Sequence, residues 1–323
     1  MSNTFPKLIC RKKALPLHRI SDIETMKTNE SKELDEMYSQ AMEALRLHHF
    51  DEAITLLDNA AHKGSNAAIL RIAGIYYFGI GIEPDTDKAI EYLLLAGNNA
   101  LALGNLGHIY YLGMEATEEN ARKAWEYYDR AEKLDSRYIF YMARMCFDKR
   151  VEEVEDYPIL EEAETYFSVA FDEGEPISGL YLWKINQILG KPNKGKEYLA
   201  EAGRRLMMEL NSPREYNNAA AALCSFGEYK MALPYIESCM TIVDAEEHPE
   251  YMKTYAEVLY GIGEKTKAME TYTRCMLAYQ RECRNLELRE TWETMKEKFN
   301  YSVSFRISIP QMEEYWGLSK KQV

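Results

Sequence analysis

The 323-residue chain has no apolar run near the roughly 20 residues that span a bilayer, so no membrane-crossing helix is expected. Its first twenty residues, MSNTFPKLICRKKALPLHRI, place basic residues on both sides of a very short apolar stretch. A secretory signal needs about 7–15 apolar residues there, so the expected location is the cytoplasm. Positive charge is also scarce, with 39 Lys and Arg against 52 Asp and Glu, a net charge of −13. Binding a nucleic-acid backbone needs clustered cations to replace condensed counterions, so nucleic acid is excluded as a partner. Six cysteines are present, but no Cys-x-x-Cys and no His pair at ligand spacing, which argues against a metal site or a disulfide framework. The six histidines have no nearby Ser or Cys in a nucleophile arrangement, and no acid–base carboxylate pair stands apart from the solvated runs EEVED and DAEEHPE. The sequence therefore predicts no catalytic residue, no metal, no cofactor and no enzyme.

What is abundant is core material. Hydrophobic residues make up 46% of the chain and tyrosine alone contributes 24 positions, which suits an ordered fold. One decapeptide pattern recurs along it: DKAIEYLLLA (87–96), RKAWEYYDRA (122–131), EEAETYFSVA (161–170) and NKGKEYLAEA (193–202), with DEAITLLDNA, KMALPYIESC and TKAMETYTRC as divergent copies. Its first small residue falls at Ala53, Ala89, Ala124, Ala163, Gly195, Ala232 and Ala268, and a second follows seven positions later at Ala60, Ala96, Ala131, Ala170, Ala202, Cys239 and Cys275. Small residues seven apart share one helix face and let a neighbouring helix approach closely. Cys239 and Cys275 are thus expected to be small buried groups rather than reactive thiols. Tyr92, Tyr127, Tyr166, Tyr198 and Tyr235, three positions after the first small residue, are expected to fill the space between units.

Each of these helices follows another with apolar residues three and four apart, as in Ile69, Ile72, Ala73, Tyr76 and in Leu103, Leu106, Gly107, Tyr110. The unit is an antiparallel helix pair. A pair cannot bury its apolar face alone, so pairs stack. Between the two helices of one unit stands GIGIEPD, with Gly79 and Gly81 one residue apart. A phosphate-binding loop would have a third glycine where Pro84 stands and a strand before it, and has neither. The glycines are read as a left-handed helix stop and a fold-back, with Pro84 and Asp85 opening the next helix.

LRIAGIYYFGIGIEPDTDKAIEYLLLAG and LGNLGHIYYLGMEATEENARKAWEYYDRA resemble Sel-one-like repeats (SLR), and EYMKTYAEVLYGIGEKTKAMETYTRCMLAY is similar to a tetratricopeptide repeat. Ala256, Gly263, Ala268, Tyr272 and Cys275 stand at the latter's signature spacings. The expected fold is all-α: a right-handed α/α solenoid of about seven antiparallel helix pairs with a short extended C-terminal tail. The expected division is an N-terminal arm, flexible or docked, over 1–33, the solenoid over 34–282, and a capping helix with its tail over 283–323. The resemblance implies a non-catalytic scaffold or adaptor that binds a protein or peptide partner, leaving the partner unspecified. The alternative is a regulatory receptor for a small ligand or signalling peptide.

A solenoid offers a concave wall lined by first helices. Counting from Ala73, Gly107 and Ala143, the inward candidates are Tyr77, His108, Tyr111 and Arg144, with Tyr181 continuing the line. Aromatic residues and Arg are common binding anchors, although Tyr77 and Tyr111 can equally cover the inter-helix seam. Near the C-terminus, YSVSFRISIP alternates apolar and polar residues, the period of a half-buried strand. Such a strand lies along the solenoid, pairs with the N-terminal arm, or adds to a partner's sheet.

Overall fold

The computed structural model describes residues 17–148, 160–207, 212–242 and 248–299, with side chains from residue 31 onward. The alternating C-terminal segment and the acidic stretch 149–159 lie outside the described residues. Among the described residues there are fifteen α-helices and no strand. The chain divides into two compact units, 1–68 and 69–323.

In the first unit, α1 (Leu17–Arg46) and α2 (Phe50–His62) form a pair around Ala41, Ala44, Leu45, Ala53, Leu57 and Ala60. The chain reverses at His48, which takes the left-handed conformation with φ 59°. Helix α1 begins well before residue 34, so part of the expected arm is helical. Across the boundary runs α3 (Asn66–Phe78).

The second unit continues in pairs: α3 with α4 (Thr86–Leu95), α5 (Ala100–His108) with α6 (Glu118–Glu132), α7 (Ile139–Phe147) with α8 (Leu160–Asp172), α9 (Ile177–Ile188) with α10 (Pro192–Arg205), α11 (Pro213–Ser225) with α12 (Tyr229–Ile242), and α13 (Pro249–Gly261) with α14 (Lys265–Arg281). The seven expected pairs are therefore present. Helix α15 (Asn285–Phe299) closes the series, packing Leu288, Trp292, Met295 and Phe299 into one cluster with Met276 and Tyr279 of α14.

Local chemistry sets the helix starts. Asp85, Asn99 and Thr117 each accept a backbone N–H three residues on, at 3.0, 3.1 and 3.2 Å. These contacts satisfy donors that a helix N-terminus leaves orphaned. Gly79 and Gly81 have φ of +66° and +70°, as the loop reading requires. A Cβ at Gly79 would also stand 2.6 Å from the Pro84 ring.

All seven first small positions are buried, and so are six of the seven second ones. Ala96 is the exception because α4 stops at Leu95 and leaves it as the C-cap. The tyrosine expectation needs correction: Tyr92, Tyr127, Tyr166, Tyr198 and Tyr235 are only half-buried. The buried large residues sit one position later, at Leu57, Leu93, Tyr128, Phe167, Ile236 and Tyr272. At about 100° per residue, positions four and three after the first small residue fall on opposite sides of the small-residue stripe. From the second of these sides Tyr92 and Tyr127 stack on the preceding helix, on Tyr76 at 5.6 Å and Tyr110 at 5.7 Å between ring centroids.

Candidate interaction groove

Helices α5, α7, α9 and α11 are the first helices of successive pairs, and together they line a cavity of about 490 Å³. On α7 and the turn before it, Tyr138, Tyr141 and Arg144 recur every three residues and so share one face. Asn105 and His108 of α5 stand on one side, and Tyr181 of α9 and Asn218 and Ser225 of α11 on the other.

His108 makes an edge-on contact with Tyr141 at 4.5 Å between centroids, and its Nδ1 lies 2.7 Å from the Tyr128 phenol oxygen. Burial, helped by the Arg144 charge, pulls the imidazole pKa down to about 4, so the ring is neutral at pH 7. Arg144 lies between two tyrosine rings, 5.9 Å from the centroid of Tyr111 and 6.0 Å from that of Tyr181. Its guanidinium is 3.5 Å from the Asp148 carboxylate, which also accepts the Tyr111 hydroxyl. Arg144 Nε is buried with no hydrogen-bond partner among the described residues.

Charges of both signs surround this aromatic floor. Asp135 pairs with Arg137 at 2.6 Å and Glu215 lies 3.7 Å from Arg214. Glu175 accepts the Ile177 N–H at 3.0 Å, and burial raises its pKa.

Of the five residues expected to point inward, His108, Arg144 and Tyr181 line the cavity. Tyr111 does not, being only 1% exposed within the α5–α7 core. Residues Ile109–Gly113 form a π-helical turn, whose wider spiral turns Tyr111 away from the face His108 occupies and into that core. Tyr77 also lies outside the cavity. Its hydroxyl fills the space left by Gly113, where a Cβ would stand 2.3 Å from the phenol oxygen. Burial first, then Glu290 and Glu287 of α15, raise its pKa. Sequence reasoning passed over Tyr141, Phe140 and Asn218, although the three-residue spacing of 138, 141 and 144 carries the signal for the first.

The cavity offers aromatic rings and charged groups as contact surfaces. No disulfide joins cysteines among the described residues, and burial pushes the thiols of Cys146, Cys224 and Cys275 up to about 12 and Cys239 up to about 11. No group of three His, Cys, Asp or Glu among the described residues could hold a metal ion, and no helix is long and apolar enough to cross a membrane.

Residues 66–101 and 100–136 match the Sel1 repeat profile in two successive copies. This stretch of the chain, 66–136, is similar to Sel1 repeats. Sel1 repeat proteins generally mediate protein–protein interaction, and the family is generally non-catalytic. A similar relative is the ERAD-associated E3 ubiquitin-protein ligase component HRD3B of Arabidopsis thaliana, 34% identical over 82 residues. That match spans 25% of this chain and 13% of the relative. Solved structures with a similar course include c5321, a protective antigen of uropathogenic Escherichia coli with an SLR fold, at 18% identity and a TM-score of 0.43 over 76% of this chain and 58% of the other. The Sel1 repeat protein of Oxalobacter formigenes is similar at 17% identity and a TM-score of 0.43, covering 76% and 99%.

Proposed function

We propose that this Sel1-type protein is a non-catalytic cytoplasmic scaffold, with 34–282 as its solenoid and 283–323 as cap and tail, that takes a peptide or partner helix in the groove of first helices. The observation that carries the proposal is the cavity itself, in which four successive first helices present His108 of α5, Tyr141 and Arg144 of α7, Tyr181 of α9 and Asn218 of α11. Aromatic and Arg side chains held on rigid helices make strong anchors because little rotamer freedom is lost on binding. Tyr111 acts from behind by holding Asp148 against Arg144, whereas Tyr77 packs at Gly113 away from the cavity. Mixed charge at the rim suits a segment carrying both signs and sets its direction.

A second reading is a receptor for a small ligand or short signalling peptide. It is favoured by the cavity volume of about 490 Å³, within the roughly 300–1,000 Å³ typical of small-molecule sites. Affinity capture with cross-linking from the native cell, repeated with Arg144→Ala and Asn218→Ala, tests the scaffold. A specific protein that is lost with both variants supports it; a melting-temperature rise with a small molecule and no captured protein supports the receptor.

A further inference from the structure

A stack of helix pairs has two edges, one carrying the turns inside pairs and the other the turns between pairs. The α3–α4 loop belongs to the first edge and the α14–α15 turn to the second, some 200 residues later. These two turns meet. Gly81 N–H donates to the Cys283 carbonyl at 2.9 Å, and Ile80 and Arg284 form an isolated antiparallel bridge. Asn285 Nδ2 donates to the Ile82 carbonyl at 2.9 Å, and Arg289 pairs with Glu83. Both turns carry a left-handed residue beside the contact: Gly81 has φ +70°, and Cys283, just past the end of α14, has φ +55°.

Arg284 anchors the corner. Its guanidinium lies over Phe78 of α3 at 5.9 Å and over Tyr279 of α14 at 4.9 Å. Glu287 at 2.5 Å, Glu282 at 3.3 Å and Glu250 at 3.4 Å balance its charge. The arginine thus belongs to both ends of the stack.

We infer that these contacts are a latch, closing the stack from α3 to α15 into one superhelical turn whose edges meet and whose groove width the latch sets. A simple stack has nearest-neighbour contacts only, and its ends open first. Here each end supports the other. A helix with side chains is about 10–12 Å across, so a cavity of about 490 Å³ accepts a short segment while the latch is shut. Release of the latch is the motion that admits a whole partner helix, a consequence that rests on the groove reading above; the latch itself does not.

The test uses the full chain and no partner. Amide exchange at Gly81 and the radius of gyration from small-angle X-ray scattering are measured for the wild type, Glu83→Arg, Glu83→Arg with Asn285→Ala, and the charge swap Glu83→Arg with Arg289→Glu. The latch predicts a protected Gly81 amide that exchanges at least about tenfold faster in Glu83→Arg with Asn285→Ala, together with a larger radius and unchanged exchange in α7 and α9. The charge swap is expected to recover the protection that Glu83→Arg loses. An unprotected Gly81 in the wild type, or no change in protection and radius in the variants, overturns the proposal. Should Glu83→Arg with Asn285→Ala fail to fold, failure of the charge swap to recover Gly81 protection relative to Glu83→Arg also overturns it. None of these outcomes bears on partner binding, so the latch can fail while the groove stands.

Discussion

His108 Nδ1 lies 2.7 Å from the phenol oxygen of Tyr128, a contact that joins a groove-lining ring on α5 to the buried stripe of α6. Burial of the imidazole, and after it the Arg144 charge, make stability depend on pH. A histidine that titrates near 6.5 when unfolded and about 4 when folded binds more protons in the unfolded chain between those values. Its contribution is therefore complete above about pH 6.5 and is lost as pH falls toward 4, on the order of 3 kcal/mol in all. Denaturant melts across that range are expected to show the slope in the wild type and a shallower one in His108→Asn.

Cys239 is fully buried where five other repeats place alanine. Cys239→Ala is expected to change stability little, and Cys239→Leu to cost about 1–3 kcal/mol by overpacking. Reducing agent is expected to leave the melting temperature unchanged; a marked drop would reveal a disulfide and refute the small-residue account.

Gly261 is a helical glycine whose hydrogen faces the Tyr229 ring, with a built Cβ only 2.1 Å from Cγ. Helix propensity alone favours Gly261→Ala by about 1 kcal/mol. The clash is expected to dominate, with a net loss of about 1–3 kcal/mol in chemical melts.

Tyr111 and Arg144 should separate in their effects. Tyr111→Ala empties a core position and is expected to cost roughly 3–5 kcal/mol of stability, as large aromatic truncations do. Arg144→Ala is expected to leave the fold intact while weakening partner binding by more than about 1 kcal/mol. Melts and binding titrations of the two variants check both statements.

The helix pairs were legible because the pattern Ala-x₆-Ala repeats every 32 to 39 residues, and a small residue on a helix face has one use, close packing. The same reasoning placed Gly79 and Gly81 correctly. It misjudged the tyrosines because three and four residues fall on opposite sides of the stripe, a distinction that composition at one position does not carry. Tyr111 was placed in the groove on α-helical spacing, and the π-turn over Ile109–Gly113 broke that spacing without an obvious sequence mark. The meeting of Gly81 with Cys283 depends on the accumulated rotation of six pairs, which no local pattern records.

The most direct test of the interaction account is site-specific photo-cross-linking in the native cell. A photoreactive amino acid is placed at Asn105 or Asn218 in the groove, and at Glu126 or Glu197 on the exposed faces of the second helices. The account predicts that the same partner protein is captured from both groove positions and from neither second-helix position. Capture of a partner from Glu126 and Glu197 alone, with Asn105 and Asn218 silent, would contradict it.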